Sequence, residues 1–191
     1  MIHHREPTRK GPSLNDCLHV GPSLTQLLFD ILLHFRCNRI ALISDIEKVF
    51  LNIEVDERGR DCLRFLWVVL QKEEPMIVVS RFCRVVFGVS SSPFLLSATL
   101  RHHLQTYIQD QEFVNKVLEE LYVDDFNSGE DSVKEGFKLY RKIKTRLEEA
   151  SFRLRKWSSK RAELMKMIRD DRVGKEAARP QEENVKEDDD T

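Results

Sequence analysis

The sequence has no apolar run close to the roughly 20 residues that a membrane-spanning helix needs. Its first residues are polar and charged, so no secretory signal peptide is visible. We also find no internal repeat. These absences predict a soluble intracellular protein, cytoplasmic or nuclear, that has no membrane partner.

Metal-binding spacings of cysteine and histidine are missing as well. The histidine pairs at 3–4 and 102–103 have no cysteine or carboxylate companions at ligand spacing. No Cys-x-x-Cys pair occurs, which argues against a structural zinc site and favours reduced, buried thiols. The four cysteines lie far apart: Cys17, Cys37, Cys62 and Cys83.

Neither sign of charge dominates, because the chain contains 31 Lys and Arg residues and 32 Asp and Glu residues. The acids are uneven, however, with six of them against one lysine in residues 180–191. This end predicts a disordered acidic tail, which we place at residues 169–191. The remainder is mildly basic, which permits nucleic-acid binding. With 191 residues, of which 41% are hydrophobic, the chain suits one domain.

Apolar spacing predicts the order of helices and strands. A polar arm over residues 1–15 precedes a helix that starts near residues 21–23 and has one apolar face. That face consists of Leu24, Leu27, Leu28, Ile31, Leu32 and Phe35. Further on we expect a buried strand at 39–46, a helical turn at 47–51, a hairpin of 62–70 with 76–86, helices at 94–108 and 112–120, a strand at 152–158 and a helix at 160–169.

A capping box, Ser132 with Glu135, predicts the start of a long helix whose buried stripe is Leu139, Tyr140, Ile143, Leu147 and Ala150. The strands do not alternate simply with helices as in a parallel sheet. The sequence therefore predicts an α+β fold with helices packed on one face of an antiparallel sheet.

Two adjacent carboxylates, Asp124 and Asp125, follow the β-favouring residues 121–123 and precede turn-forming residues. We interpret them as the bend of a hairpin, although Asp-Asp before Asn-Ser-Gly is also ordinary turn chemistry. Adjacent anions repel each other unless a cation neutralises them. Asp45 ends the strand at 39–46, so neighbouring strands would bring three carboxylates together. Such a cluster suits Mg²⁺ or Mn²⁺, and two ions about 3.5–4 Å apart support phosphoryl transfer.

Three motifs in order resemble the reverse transcriptases. They are residues 45–50 (Asp-Ile-Glu-Lys-Val-Phe), 87–93 (Phe-Gly-Val-Ser-Ser-Ser-Pro) and 122–125 (Tyr-Val-Asp-Asp). Residues 13–18, 28–33 and 152–157 are similar to the BEL/Pao class of LTR retrotransposon polyproteins. The resemblance covers roughly residues 11–168. It implies a palm-like antiparallel sheet and an RNA-directed DNA polymerase that joins deoxynucleoside triphosphates to a primer on an RNA or DNA template.

The resemblance also implies roles for particular residues. Asp45, Asp124 and Asp125 match the catalytic, metal-binding carboxylates, with Asp125 contributing less to direct ligation, and Ile46 would offer its backbone carbonyl to a metal. For nucleotide binding it implies Phe50 as the gate against a ribose 2′-hydroxyl, Gly88 for close backbone approach, and Lys156 or Lys160 near pyrophosphate. For primer and template it implies Tyr122, Ser92 and Pro93.

Alternatives remain open for several of these residues. Phe50 and Tyr122 also suit plain packing in the core and the sheet. Arg153, Arg155 and Lys156 also suit a solvated strand face. A two-metal nuclease would share the carboxylates but needs neither a sugar gate nor the Gly88 loop.

The chain departs from the family at two positions and lacks several of its parts. Phe87 stands where many reverse transcriptases have glutamine, and Val49 where alanine is usual. The basic fingers residues that grip the triphosphate, a thumb, and the protease, RNase H and integrase modules are not recognisable. We therefore expect a truncated palm with partial fingers over residues 16–168. The alternative is an inactive retroelement remnant that at most binds nucleic acid or a partner.

Overall fold

The computed structural model describes residues 11–70 and 75–177. Antiparallel sheets and helices make up the chain, in agreement with the predicted α+β class. The strands are β1 (Ile40–Ile46), β2 (Arg64–Leu70), β3 (Pro75–Arg81), β4 (Leu121–Tyr122), β5 (Asp125–Glu130) and β6 (Leu154–Ser158). The α-helices are α1 (Leu14–Cys17), α2 (Leu28–Cys37), α3 (Ser92–Gln105), α4 (Gln111–Glu120), α5 (Val133–Glu148) and α6 (Ala162–Ala177).

Strand β1 is at the centre of a four-stranded sheet in the order β4–β5–β1–β6. Its residues alternate between a buried face, which includes Leu42 and Ile46, and a more exposed face, which includes Ile43 and Asp45. β5 pairs antiparallel with β1 along six residues, and β6 pairs antiparallel on the other side. This alternation is the pattern of a sheet with one face on the core. It leaves Asp45 on the face opposite the core.

Helix α5 covers the buried face of the sheet as the sequence predicts. The Ser132 side chain accepts a hydrogen bond from the Glu135 backbone N–H at 3.2 Å, which caps the first turn. Its predicted stripe is buried except for Ala150, which lies past the end of the helix and is half-buried. The main core contains residues from the sheet and from α3 to α6, and its fully buried members include Leu42, Leu96, Leu104, Phe126, Tyr140, Ile143, Leu147 and Leu164.

The predicted start of the first long helix is wrong, and most of its apolar face is not buried. α2 begins at Leu28, and Ile31 is its one buried residue. Leu27, just before the helix, is 71% exposed. The preceding segment instead packs along α3: Gly21 has a φ of 80° against the Phe94 ring, and the Thr25 and Ser97 hydroxyls are 3.3 Å apart. These contacts hold the chain extended where the sequence pattern favoured a helix.

Both predicted chain ends require correction within the described residues. Ser13 caps α1 through a reciprocal pair of hydrogen bonds with Asp16, so the predicted arm includes ordered structure. α6 continues to Ala177, and its Asp171 accepts a hydrogen bond from the buried Tyr140 hydroxyl at 3.0 Å. The predicted tail therefore cannot begin at residue 169. Residues 1–10 and 178–191 lie outside the described residues.

Smaller differences concern the cysteines and the element boundaries. All four cysteines are free thiols, but they are exposed rather than buried as predicted. The predicted hairpin forms as β2 and β3, although β3 ends at Arg81 instead of near residue 86. α3 begins at Ser92, two residues before the predicted start. None of the described helices is long and apolar enough to cross a membrane.

Candidate functional site

The three aspartates converge because β5 pairs with β1. The last pair in the register puts Asp45 opposite Asp125, and the Ile46 N–H donates a hydrogen bond to the Asp124 carbonyl at 2.8 Å. Asp124 lies in the two-residue turn between β4 and β5, after Val123. The turn formers at 127–129, expected in a bend, instead continue β5. The structure therefore places Asp45, Asp124 and Asp125 next to one another where β1 and β5 are paired.

The turn that carries Asp124 is strained. Val123 has a φ of 53°, a left-handed conformation that a β-branched side chain rarely adopts. Such strain costs of order 1–3 kcal/mol and persists only where the surroundings enforce it. Here the flanking pairs Leu121–Phe126 and Tyr122–Asp125 close the hairpin around the turn. The strained bend is how the fold places adjacent carboxylates at the end of a strand.

Lys156 neutralises part of this acidic cluster. Its ammonium lies 2.8 Å from Asp45 Oδ2, and Asp45 in turn raises the pKa of Lys156. The contact depends on a bulge: Asp45 faces Arg155 and Ile43 faces Ser158, so β6 has one residue more than β1 between these pairs. Lys156 takes a φ of 51° in this bulge. Glu47, just past the end of β1, forms an ion pair with Arg155.

The acidic cluster retains unsatisfied negative charge. Burial, followed by the nearby Asp124 and Asp45, raises the pKa of Asp125, and Lys156 opposes that rise. The second carboxylate oxygen of Asp45, Oδ1, is buried and has no hydrogen-bond partner among the described residues. Both observations indicate a place that would accept additional positive charge.

The oxygen donors of the three aspartates are of the type that divalent cations prefer, but their present arrangement does not form a metal site. Within residues 11–70 and 75–177, no group of three or more His, Cys, Asp or Glu side chains forms a site that could hold a metal ion. The ammonium of Lys156 instead occupies one oxygen of Asp45. Cation binding by Asp45, Asp124 and Asp125, with the Ile46 carbonyl, would require Lys156 to move away. Carboxylate and carbonyl oxygens are the ligands that Mg²⁺ and Mn²⁺ prefer.

Phe50 lies beneath a second aromatic ring that sequence analysis did not assign to the site. Phe50 follows β1 in a short 3₁₀-helix, Val49–Asn52, and is 6% exposed. The exposed Phe87 ring packs edge-on against it, with centroids 4.7 Å apart. Phe87 thus presents the accessible aromatic surface beside the residue predicted as the sugar gate. The sequence signal that pointed to Phe87 was its position in the second motif, residues 87–93.

The Gly88 loop is held by a residue that sequence analysis placed in the N-terminal arm. The Asn15 side-chain amide donates to the Gly88 carbonyl at 2.9 Å and accepts from the Ser90 N–H at 2.8 Å. Gly88 has a φ of 84°, which favours glycine because it has no Cβ. No spacing rule connects positions 15 and 88, so the sequence alone offered no signal for this contact.

The predicted primer and template residues differ in accessibility. The Ser92 hydroxyl is buried and donates to the Val86 carbonyl at 2.7 Å, so it stabilises the start of α3 rather than facing solvent. Pro93 is exposed in the first turn of that helix. Tyr122 is half-buried and pairs with Asp125 across the hairpin. Of the three, Pro93 and Tyr122 have side-chain surface available for a ligand.

The chain matches no protein-family model and no curated protein.

Proposed function

We propose that this chain is a reverse-transcriptase palm with partial fingers, whose reaction is metal-dependent transfer of a deoxynucleotide to a primer 3′-hydroxyl. The observation that carries the proposal is the pairing of Asp45 with Asp125 beside Asp124, at the last pair between the two inner strands of an antiparallel sheet. Polymerisation by two cations requires carboxylates from separate strands within reach of one reacting phosphate. The order of the three sequence motifs supports the same function.

Each of the neighbouring residues has a definable task in this proposal. Divalent cations bound by the three aspartates would promote attack by the primer hydroxyl and neutralise charge on the leaving pyrophosphate. Lys156, released from Asp45, would contact the phosphates. Phe50 and Phe87 would border the sugar, and the Gly88 backbone would approach the nucleotide. Tyr122 and Pro93 would contact the primer or template.

A second candidate function is nucleic-acid binding without polymerisation, as expected for a retroelement remnant. α5 contains six Lys and Arg residues and two Glu residues. Lys134, Lys138 and Arg141 line an open groove of about 850 Å³ along it. Lys134 and Lys138 are exposed, and neither forms an ion pair within the described part of the chain. Contacts of this kind with phosphates supply most non-specific nucleic-acid affinity.

Primer extension tests the polymerase proposal directly. The full chain is incubated with a poly-rA/oligo-dT duplex and dTTP, with Mg²⁺ and separately with Mn²⁺. Asp124→Asn removes one proposed ligand charge, whereas Asp131→Asn makes the same change at an exposed aspartate outside the site. We expect extension by the wild type and by Asp131→Asn, and none by Asp124→Asn.

The outcomes separate the two candidate functions. Extension that survives Asp124→Asn would contradict the proposed catalytic site. Folded wild-type protein that binds the duplex without extending it, and loses binding in a Lys134→Gln/Lys138→Gln variant, would support the second candidate. Circular dichroism of each variant establishes that a lost signal does not come from unfolding.

A further inference from the structure

The hairpin β2–β3 has an uncovered apolar face. β2 and β3 form a two-stranded sheet separate from the four-stranded one. On one side of this hairpin, cross-strand pairs bring together the aliphatic side chains of Leu66 and Val79 and those of Val68 and Ile77. Together with Leu70, these side chains are between 51% and 84% exposed. We call these five residues the hairpin face.

An isolated two-stranded hairpin is at best marginally stable in water, and it normally needs a third strand or a packed layer. The opposite side of this hairpin is protected in part: Phe65 stacks on Phe82 with centroids 4.4 Å apart, whereas Trp67 and Met76 on that side are 59% and 48% exposed. The hairpin face has no comparable cover from the described residues. Its side chains expose on the order of 600 Å², the upper end of what a monomer leaves uncovered in one patch.

We propose that the hairpin face mediates dimerisation with a second copy of this chain, by face-to-face packing of the two hairpins about a twofold axis. The proposal does not depend on the polymerase activity. A specific interface of standard size buries about 800 Å² from each partner, so the hairpin face supplies most of the required area. Two apolar hairpins can pack about 10 Å apart, as the layers of a sandwich do.

The charge distribution favours a second copy over a charged partner. None of the five residues of the hairpin face is polar, so an identical face can cover it without burying a charge. Among the residues that the structure describes, the nearest charges on this side are Arg64 and Arg81 at the base of the hairpin. Both guanidinium groups lie 3.0 Å from the Asp61 carboxylate. They would stay paired at the rim of the interface.

The test is the mass of the full chain by analytical ultracentrifugation from about 1 to about 200 μM, a range that spans the micromolar dissociation constants of weak dimers. We expect a dimer of the wild type that dissociates on dilution. Val68 is in the central cross-strand pair of the hairpin face, so Val68→Glu and Val68→Lys should each be monomeric because they place like charges near the axis. Val173→Glu introduces the same charge at an exposed valine of α6 and should leave the dimer intact.

Mixing distinguishes this pairing from dimerisation through a different surface. Equal amounts of the Val68→Glu and Val68→Lys proteins should form a heterodimer, because opposite charges then meet near the axis. Heterodimer formation would also show that both variants are folded. A wild type that is monomeric throughout the concentration range would overturn the proposal. So would Val68 variants that dimerise as the wild type does, or a charge pair that fails to associate on mixing.

Discussion

Glu120 should make the protein less stable as the pH rises through neutrality. It is the last residue of α4, immediately before β4, and it is 7% exposed. Its Oε2 atom has no hydrogen-bond partner among the described residues. Burial raises the pKa of Glu120 from its ordinary 4.5 to about 7, and the nearby Ser128 hydroxyl and the ammonium of Lys116 on the preceding turn only partly oppose this.

The sign and size of the effect follow from these pKa values. The unfolded chain releases the proton near pH 4.5, whereas the folded chain holds it until about pH 7. The stabilisation is therefore complete below pH 4.5 and is lost as the pH rises through 7. Since each tenfold change in proton affinity corresponds to about 1.4 kcal/mol, the loss amounts to about 3 kcal/mol.

The assay is urea unfolding at pH 5, 6, 7 and 8, followed by tryptophan fluorescence. Glu120→Gln keeps the shape of the side chain without a charge to bury, so near pH 5 its stability should lie within about 1 kcal/mol of the wild type. At pH 8 it should be more stable by about 3 kcal/mol. Glu112→Gln alters an exposed glutamate at the other end of α4 and should keep the wild-type dependence of stability on pH. A stability difference between Glu120→Gln and wild type that stays constant from pH 5 to 8 would refute the reasoning.

Three further substitutions test the surroundings of the site. Lys156→Met removes the ammonium from Asp45 Oδ2 and should tighten Mn²⁺ binding severalfold by calorimetry; unchanged affinity would show that this ion pair does not compete with a cation. Asn15→Ala removes both hydrogen bonds to the Gly88 loop and should cost about 1–3 kcal/mol in urea unfolding. The substitution should also speed amide hydrogen exchange in that loop. Unaltered exchange would argue that the Asn15 hydrogen bonds do not hold the loop in place. Gly129→Ala would place a methyl group 2.5 Å from the Ile40 carbonyl and should lower the melting temperature by several degrees; a wild-type melting curve would contradict that crowding.

Capping residues and apolar periodicity correctly predicted those helices and strands whose sequence signals lie within one continuous stretch of the chain. α5 has both a capping serine and a repeating apolar stripe, and these agree with its final packing. β1 was predictable because a short apolar run ended at a charged residue, Asp45. α2 shows the limit of such patterns. The apolar spacing of residues 24–35 predicted one apolar helix face, but tertiary packing covers Ile31 and leaves Leu27 and Leu32 exposed.

In the candidate site as well, the sequence predicted the residues, and the tertiary structure decided how they are arranged. The sequence by itself determined which residues are chemically suited to it, because carboxylates in the order of Asp45, Asp124 and Asp125 form a recognisable pattern. Only the tertiary structure decided that Asp45 faces Asp125 and that a bulge brings Lys156 to the same place. Periodicity reports which side of an element is apolar, a property of neighbouring residues. Contacts between residues so far apart in the chain depend on strand register, which packing of the whole chain selects.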